Sequence, residues 1–302
     1  MGSRASDRRC EPGVTCVTSI ELEHTDRLGT TLEAIAGEKA RILKSGVPAV
    51  MGALPEPARQ VVEARAAELS APLAALGRDF QCQAEERGLA GSRVHFHDGG
   101  FSASFDLPVP GPVAPINAAL AIACVRRLLA DAPAPAADWI QASLGRVQLP
   151  GRIEVLGREP WIVVDAAHTA ASVGALVHVL RALAAPVDLV LSISADKDAE
   201  GLLRALLPLA RRVTLTRAEP TRSLPPERIA QVAASLAPDV ELRTVPNPHL
   251  ALRAAREAVS PDAVLCATGS VYLAGIARAV LRDPEAGRRV AVTRSRSRRE
   301  PD

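Results

Sequence analysis

The chain has 302 residues, of which 48% are hydrophobic and 23% charged, and its formal net charge is +2. This balance is typical of a globular protein of one large or two ordinary domains, and it neither favours nor excludes a charged partner. The five cysteines are odd in number and lack CxxC spacing, which argues against a disulfide framework or a zinc site. No apolar run approaches the ~18 residues of a membrane span, and the first sixteen residues lack a signal-peptide core, so we expect a cytoplasmic protein without a membrane partner.

The first half of the chain mixes apolar runs with helical periodicity. We expect strands at 14–20 and 48–52, helices at 30–44, 55–74 and about 116–132, and a β-hairpin around Gly99 and Gly100. The proline- and alanine-rich segment 133–150 follows and is predicted to be a linker.

The second half alternates regularly between apolar runs and helical patterns. Strands are predicted at 161–165, 187–194, 211–216, 240–245 and 262–269, each separated from the next by a helical pattern. This alternation predicts a parallel sheet with right-handed crossovers, covered on both faces. The predicted organisation is an irregular start (1–13), a first domain (14–132), the linker (133–150), a Rossmann-like α/β domain (151–283) and a disordered basic tail (284–302). The tail could contact nucleic acid, but a near-neutral chain with few aromatics favours a solvated tail and no nucleic-acid partner.

Lys39 stands out because the chain has three lysines beside 33 arginines. It falls seven residues after Leu32 and four after Ile35, in the middle of the apolar stripe of the predicted helix. In one interpretation its methylenes pack while its ammonium reaches water. In the other, burial keeps the amine neutral and reactive, which an arginine could not provide.

The run VTSIELEHTDRLGTTLEAIAGEKARILKSGVPAV resembles the folylpolyglutamate synthase/dihydrofolate synthase family of the Mur ligase superfamily. The family reads approximately TSIGLDHTxxLGxTLExIAxEKAGIxKxGxPxV here. The resemblance implies that His24 binds Mg²⁺, and that a catalytic Lys39 is carbamylated and helps to hold the metal with its new oxygen anion. The sequence departs from the pattern at Glu21, Glu23 and Arg41, the last of which adds bulk and charge beside the implied site.

A second cluster lies in WIVVDAAHTAASVGAL. Asp165 comes at the carboxyl end of a predicted strand, which is the usual ligand position in an open α/β sheet. Thr169 could cap the following helix, with His168 at its positive end. The alternative is an ordinary strand-to-helix turn in which Asp165 satisfies loop amides.

The same family has DGAHNPxS where this chain has DAAHTAAS, and its PGRxE segment resembles LPGRIEVL. The resemblance implies that Arg152, Asp165 and His168 bind ATP, the arginine and aspartate across a domain cleft. Asn117 in APINAALAIA is implied as a further ATP contact. Without the resemblance, Arg152 and Asn117 would be ordinary surface residues. SADKDAEGLL, LTRAEPTRSLP and ATGSVYLAGIAR also resemble family segments, so the likeness runs from about Val14 to Arg278.

The family's phosphate-binding P-loop, approximately GTNGKGS, has no counterpart in the printed sequence, because no lysine follows a glycine. The predicted fold is therefore α/β, with a partial Mur-ligase-type ATPase domain followed by a Rossmann-like ligase domain. Losing a phosphate cradle would remove much of the rate acceleration of phosphoryl transfer.

Two functions follow from these observations. The first is an ATP- and Mg²⁺-dependent amide ligase that joins L-glutamate to a folate or dihydropteroate carboxylate through an acyl phosphate. Its P-loop half would then be supplied by a separate polypeptide, or would have been lost through a wrongly placed start or a frameshift. The second is an inactive remnant or binding module of the same family.

Overall fold

The computed structural model describes residues 11–22, 28–130 and 136–282. Two compact units are present. Unit 1 runs up to Val147 except for two short segments, 88–90 and 109–111; unit 2 consists of these segments and the residues from Gln148 onward. His24 and the predicted tail 284–302 lie outside the described residues. Within the described ranges, none of the helices combines the length and apolar character needed to cross a bilayer.

Unit 1 contains a small parallel sheet with helices packed on it. Its strands are β1 (Thr15–Val17), β2 (Ala49–Met51) and β3 (Leu73–Ala75), in the order β1-β2-β3. Its helices are α1 (Leu32–Lys39) and α2 (Glu56–Glu68). Their apolar faces form one core with the strands, which includes Ile35, Ala36, Met51, Ala58 and Val62. The prediction of a helix over 55–74 was wrong at its end, because residues 73–75 form β3.

Helix α1 is shorter than its periodicity predicts. Thr31 caps its start, accepting a hydrogen bond from the backbone N–H of Ala34 at 3.2 Å. After Lys39 the chain tightens into a 3₁₀ turn, Ala40–Ile42, and Ile42 is 38% exposed. Of the predicted apolar stripe, Ile42 therefore leaves the core while Leu43 stays buried in it, and Lys39 stands at the end of the α-helix.

The rest of unit 1 is an antiparallel meander beside a long helix. The meander consists of β4 (Gln81–Glu86), β5 (Ser92–Asp98) and β6 (Phe101–Leu107), which confirms the hairpin at Gly99 and Gly100. The helices α3 (Val113–Leu128) and α4 (Ala137–Leu144) follow. Helix α4 thus lies within the segment 133–150 that was predicted to be a linker.

One buried charge cluster ties the meander to α3. The Asp98 carboxylate, 11% exposed, accepts hydrogen bonds from Arg126 at 2.9 Å and Arg127 at 2.6 Å. The Arg126 guanidinium also lies 4.4 Å from the ring centre of Phe101. Burial alone would raise the pKa of Asp98, but the two arginines outweigh it and the pKa is lowered.

Unit 2 is a six-stranded sheet covered on both faces. Its strands are β7 (Glu154–Arg158), β8 (Trp161–Val164), β9 (Val187–Leu191), β10 (Ala210–Leu215), β11 (Glu241–Thr244) and β12 (Val264–Thr268). Its helices are α5 (Ala170–Ala182), α6 (Ala199–Leu206), α7 (Pro226–Leu236), α8 (Pro248–Ala258) and α9 (Val271–Arg282). The strand order is β11-β10-β9-β12-β8-β7.

The sheet confirms the predicted parallel α/β domain with one addition. Strands β8 to β12 pair in parallel, whereas β7 pairs with β8 antiparallel at the edge. Helices α5, α6 and α7 contribute to the core on one face, and α8 and α9 to the core on the other. β7 was not predicted, because its five residues include a glutamate, a glycine and an arginine, and all of them are at least partly exposed.

Candidate functional site

The carboxyl edge of the unit 2 sheet contains a point where the crossover helices change face. Strand β8 is followed by α5 on one face, while its neighbour β12 is followed by α9 on the other. In open α/β sheets, ligands bind beyond the carboxyl ends of the strands at such a point, where the connections after neighbouring strands diverge. Asp165, Thr268 and Ser192 come directly after β8, at the end of β12 and directly after β9.

Asp165 is 5% exposed, and both of its carboxylate oxygens are used by backbone. Oδ2 accepts a hydrogen bond from the Ile153 N–H at 2.7 Å, and Oδ1 accepts one from the Ala167 N–H at 2.7 Å. Burial raises the pKa of Asp165; these hydrogen bonds and the nearby positive charges of Arg152 and His168 offset only part of that rise.

The segment held by Asp165 is a tight turn before β7. The Arg152 N–H donates to the Leu149 carbonyl at 3.1 Å, and the Gly151 carbonyl accepts from the Ala166 N–H at 2.9 Å. Gly151 has a φ of +66°, which glycine adopts readily, but Ile153 has a φ of +44°, which is a true outlier for a β-branched residue. Arg152 lies between these two residues, and its side chain is exposed.

Glu154 anchors the same turn to α9. Its carboxylate, 11% exposed, accepts from the Gly151 N–H at 2.8 Å, from Arg278 at 2.6 Å and from Arg282 at 2.7 Å. Arg278 and Arg282 therefore share one carboxylate partner within unit 2. Arg152 makes no salt bridge within the described residues, so its charge is available at the surface.

His168 precedes the capped start of α5. Its Nδ1 lies 2.8 Å from the Ala166 carbonyl oxygen, which can only accept, so Nδ1 carries the proton and Nε2 is left to meet a ligand. Thr169 and Ser172 form a capping box that confirms the predicted cap. The Ser172 hydroxyl also accepts from the His168 N–H at 3.1 Å, which fixes the backbone at the histidine.

The middle of the edge is lined by buried hydroxyl groups. Thr268 Oγ1 is buried and has no hydrogen-bond partner in the part of the chain that the structure describes. Gly269, with a φ of +94°, passes so close to β9 that a Cβ there would lie 2.8 Å from the Ser192 carbonyl oxygen. Thr268 Oγ1 is thus a buried polar atom without a hydrogen-bond partner among the described residues, at the carboxyl edge of the sheet, which marks a place for a ligand atom or a water.

The predicted site residues of unit 1 are described by themselves. Lys39 is half-buried, and its Nζ donates to the Ser19 carbonyl oxygen at 3.3 Å in an exposed contact. Asn117 lies in the second turn of α3 and is exposed. His24, the predicted metal partner of Lys39, lies outside the described residues. Within the described ranges, no group of three or more His, Cys, Asp or Glu side chains could hold a metal ion.

Unit 2 thus brings Arg152, Asp165 and His168 together at one edge of its sheet, as their predicted positions imply. Sequence reasoning assigned no role to Glu154 or to the backbone of Ile153. The glutamate was visible in LPGRIEVL, but its partners Arg278 and Arg282 lie more than 120 residues away in sequence. No local signal predicts the left-handed conformation at Ile153.

Comparison with known proteins places this edge in a known type of domain. Residues 151–271 match the Mur ligase glutamate ligase domain. Over 300 aligned residues the chain is 30% identical to a dihydrofolate synthase/folylpolyglutamate synthase of Mycobacterium tuberculosis, covering 90% of this chain and 61% of that protein. The chain therefore spans about three fifths of the length of that curated relative.

Solved structures show the same relationship. A folylpolyglutamate synthase of M. tuberculosis, complexed with ADP and AMPPCP, superposes with a TM-score of 0.80 at 29% identity, covering 90% of this chain and 64% of that one. A bifunctional folylpolyglutamate synthase/dihydrofolate synthase of Yersinia pestis, complexed with AMPPNP and a Mn ion, superposes with a TM-score of 0.74 at 29% identity, covering 90% and 62%. Nucleotides and a divalent metal ion thus bind to the proteins that this chain resembles.

Proposed function

We propose that this chain, which belongs to the folylpolyglutamate synthase/dihydrofolate synthase family of the Mur ligases, takes part in the ATP-dependent addition of L-glutamate to a folate or dihydropteroate carboxylate. In this reaction the carboxylate attacks the γ-phosphorus of ATP, forming an acyl phosphate and ADP. The amine of glutamate then attacks the acyl carbon, and inorganic phosphate leaves as the amide bond forms. The cytoplasmic location inferred from the sequence belongs to the same proposal.

The observation that carries this proposal is the carboxyl edge of unit 2. An exposed Arg152, which makes no salt bridge among the described residues, and the start of α5 supply positive charge there, and the imidazole of His168 lies beside the start of this helix. Helix N-termini and arginines are the groups that bind phosphate oxygens in proteins. We therefore assign ATP binding in unit 2 to Arg152 and His168, with Asp165 supporting them, and in unit 1 to the exposed Asn117.

The metal part of the proposal rests on His24 and Lys39. When bound, Mg²⁺ neutralises charge on the phosphates. Lys39 would contribute an oxygen ligand only after its amine captures CO₂ as a carbamate. In the described state, however, Nζ donates to the Ser19 carbonyl, and the described residues do not complete a metal site by themselves. Intact-mass measurement with and without bicarbonate tests the carbamate, which a Lys39→Arg variant cannot form.

Nucleotide binding is the direct test of the unit 2 assignment. Isothermal titration of the whole chain with ADP should give a measurable Kd that the Arg152→Ala variant weakens at least about tenfold, as expected for the loss of one arginine–phosphate pair. Arg204→Ala is the matched control, because Arg204 is an exposed arginine that pairs with Glu200 on α6. Equal weakening by both variants would reduce the effect to net charge and refute the assignment.

The second candidate is an inactive remnant or binding module of the same family. We propose that a polypeptide carrying a P-loop completes the site. The chain is incubated with ATP, Mg²⁺, dihydropteroate or folate, and glutamate, and ADP release is measured with and without a P-loop fragment of a family member. Activity that appears only with the fragment supports the ligase; ADP binding without activity in either mixture supports the binding module.

A further inference from the structure

The thiols of Cys16 and Cys124 in unit 1 contact each other. Cys16 is the middle residue of β1 and Cys124 lies in the third turn of α3, and their side chains are hydrogen-bonded although they are far apart in sequence. Both residues are half-buried, so a small molecule in solvent can reach them. The proposed function uses neither cysteine.

The alternation of β1 directs Cys16 towards α3. Val17 belongs to the core that β1 forms with α1 and α2. Because successive side chains of a strand point to opposite faces, Cys16 points away from that core. Its partner on β2 is Val50, which is buried, and α3 packs against both strands.

Two close contacts fix α3 beside the strand. A Cβ on Gly13 would lie 2.5 Å from Leu128 Cδ1, and a Cβ on Gly52 would lie 3.5 Å from Leu120 Cδ1. Gly13 precedes β1, and the N–H of Gly52 donates to the carbonyl of the last residue of β1 at 2.9 Å, so the two contacts mark the two ends of this strand. Leu120, Cys124 and Leu128 follow one another at intervals of four, which places them on one face of the helix. Cys124 is therefore held opposite the middle of β1, with a contact one turn away on either side.

The two thiols differ in reactivity. The hydrogen bond from Cys16, together with the positive charge of Arg127, lowers the pKa of Cys124, whereas the same hydrogen bond and burial raise the pKa of Cys16. The thiolate is the form of cysteine that reacts with oxidants. Cysteines that respond to oxidants are accessible, ionise readily and stand next to a second cysteine that closes a disulfide. Cys124 has the properties of the attacking thiol, and Cys16 those of the second.

From this geometry we propose that Cys16 and Cys124 form a reversible disulfide site, which joins β1 to α3 when the protein meets a peroxide. The Cys124 thiolate attacks one peroxide oxygen. An S–O bond forms, the O–O bond breaks, and the leaving hydroxide takes up a proton to become water. The Cys16 sulfur then attacks the sulfur of this sulfenic acid. The S–S bond forms, the S–O bond breaks, and the second hydroxide leaves as water with the proton of Cys16.

The step is balanced and reversible. Two thiols lose two electrons, and one peroxide is reduced to two waters. A dithiol reductant reopens the disulfide by thiol–disulfide exchange. In the reducing compartment that the sequence predicts, disulfides of this transient kind are the usual ones. The inference does not depend on the proposed ligase function.

Peptide mapping of the whole wild-type chain tests the pairing. The reduced protein is treated with hydrogen peroxide, the remaining thiols are blocked with N-ethylmaleimide, and the chain is digested without reductant. We expect a linked pair of peptides that contains Cys16 and Cys124 and that separates after dithiothreitol. Linkage of either cysteine to Cys10 or Cys82 in place of this pair, or the lack of any linked peptide, would overturn the inference.

Two serine variants test the assigned roles. In Cys16→Ser the sulfenic acid at Cys124 cannot close a disulfide and should be captured by dimedone. In Cys124→Ser the capture at Cys16 should be at least about tenfold slower, because burial raises the pKa of Cys16 while the charge of Arg127 acts on Cys124. Equal capture rates in the two variants would contradict the role of Cys124 as the attacking thiol.

Cys82→Ser is the matched control. Cys82 is also half-buried in unit 1, but its Sγ donates to the Pro115 carbonyl oxygen at 3.5 Å. C82S should form the Cys16–Cys124 disulfide at the wild-type rate, and a rate at least about tenfold slower would show that Cys82 takes part and would count against the pairing. Circular dichroism checks that each variant is folded, and the wild-type peptide map decides the pairing even where a variant is not.

Discussion

The anchoring of the arginine turn by Glu154 yields a prediction whose size can be worked from the structure. Glu154→Gln keeps the side-chain shape but removes the charge that Gly151, Arg278 and Arg282 share. The Gly151 N–H can still bond to the amide oxygen, but a neutral acceptor is roughly half as strong, a loss of about 1 kcal/mol. Arg278, 30% exposed, bonds to the same oxygen as Gly151, so it keeps an acceptor but loses its negative partner, at a cost of about 1–2 kcal/mol. Arg282, 51% exposed, adds less than about 1 kcal/mol because solvent screens it.

We therefore expect E154Q to lower the free energy of unfolding of unit 2 by about 2–4 kcal/mol. The chain has two tryptophans, Trp139 in unit 1 and Trp161 in unit 2. In a Trp139→Phe background, urea unfolding followed by tryptophan fluorescence reports on unit 2 through Trp161. Trp139 is 56% exposed, so this substitution costs little.

Glu200→Gln is the matched control. Glu200 pairs with Arg204 at 2.6 Å, but the two side chains are 57% and 63% exposed, so the loss should stay below about 0.5 kcal/mol. If E154Q and E200Q shift the urea midpoint equally, the partly buried anchor contributes no more than a surface pair and the reasoning is refuted. A drop well above 4 kcal/mol would indicate a wider collapse around the turn.

Three further predictions concern other parts of the chain. Asp98→Asn should lower the stability of unit 1 by about 3–5 kcal/mol near neutral pH. Because the pKa of Asp98 is lowered in the folded state, this loss of stability should shrink when urea unfolding is measured below about pH 4. A loss that does not change with pH would contradict the charged pairing of Asp98 with the two arginines. Cys124 should be alkylated by iodoacetamide faster than Cys16, because the hydrogen bond between the thiols lowers the pKa of Cys124 and raises that of Cys16. Equal alkylation rates, measured by peptide mass spectrometry, would contradict this prediction. The Cys124→Ser substitution should speed the alkylation of Cys16. Thr169→Ala should lower the free energy of unfolding of unit 2, measured in urea, by about 1 kcal/mol, because α5 loses its N-cap. An unchanged free energy of unfolding would show that the cap does not stabilise unit 2.

The sequence predicts the unit 2 sheet well because its central strands are buried on both faces. Runs such as VDLVL and VLCAT are fully buried, and burial on two faces requires nearly continuous apolar residues. The edge strand β7 was missed for the same reason, since EVLGR is only partly buried and carries no such pattern. Strand prediction from apolar runs therefore works at the centre of the sheet and fails at the edge strand β7, although the opposite edge strand, β11, was predicted at 240–245.

Helix ends were harder to predict than helices. Periodicity extends α1 through Lys44, but the chain leaves the α-helix at Lys39 and forms a 3₁₀ turn before the turn at Gly46. The segment at 137–144 was assigned to a linker on its flanking prolines, although ADWIQASL buries Ile140 and forms α4. In both places the outcome depends on which side chains find a core to pack against, and that information lies elsewhere in the chain.

The positions of Asp165 and His168 in the candidate site were predictable from the sequence, but the hydrogen-bond partners of Asp165 were not. The pattern DAAH places Asp165 and His168 at the end of β8, and the structure agrees. What the pattern cannot predict is that the Asp165 carboxylate turns inward to the Ile153 and Ala167 amides. That contact joins residues twelve positions apart across the β7–β8 pair, and only the folded sheet brings them together.

The turn before β7 is held by hydrogen bonds to its backbone and not by a salt bridge to Arg152 within the described residues. The arrangement of charge at this edge of the unit 2 sheet explains why. A carboxylate paired directly with Arg152 would fix the arginine but would also neutralise it for an incoming phosphate. Asp165 instead binds the neighbouring amide, and Glu154 binds the Gly151 N–H while pairing with Arg278 and Arg282. Both acids thus fix the turn on either side of Arg152 without a salt bridge to its guanidinium within the described residues. Holding the turn in this way requires a strained Ile153 and a buried Asp165 carboxylate. It leaves Arg152 as an exposed cation, which the proposed function pairs with phosphate oxygens.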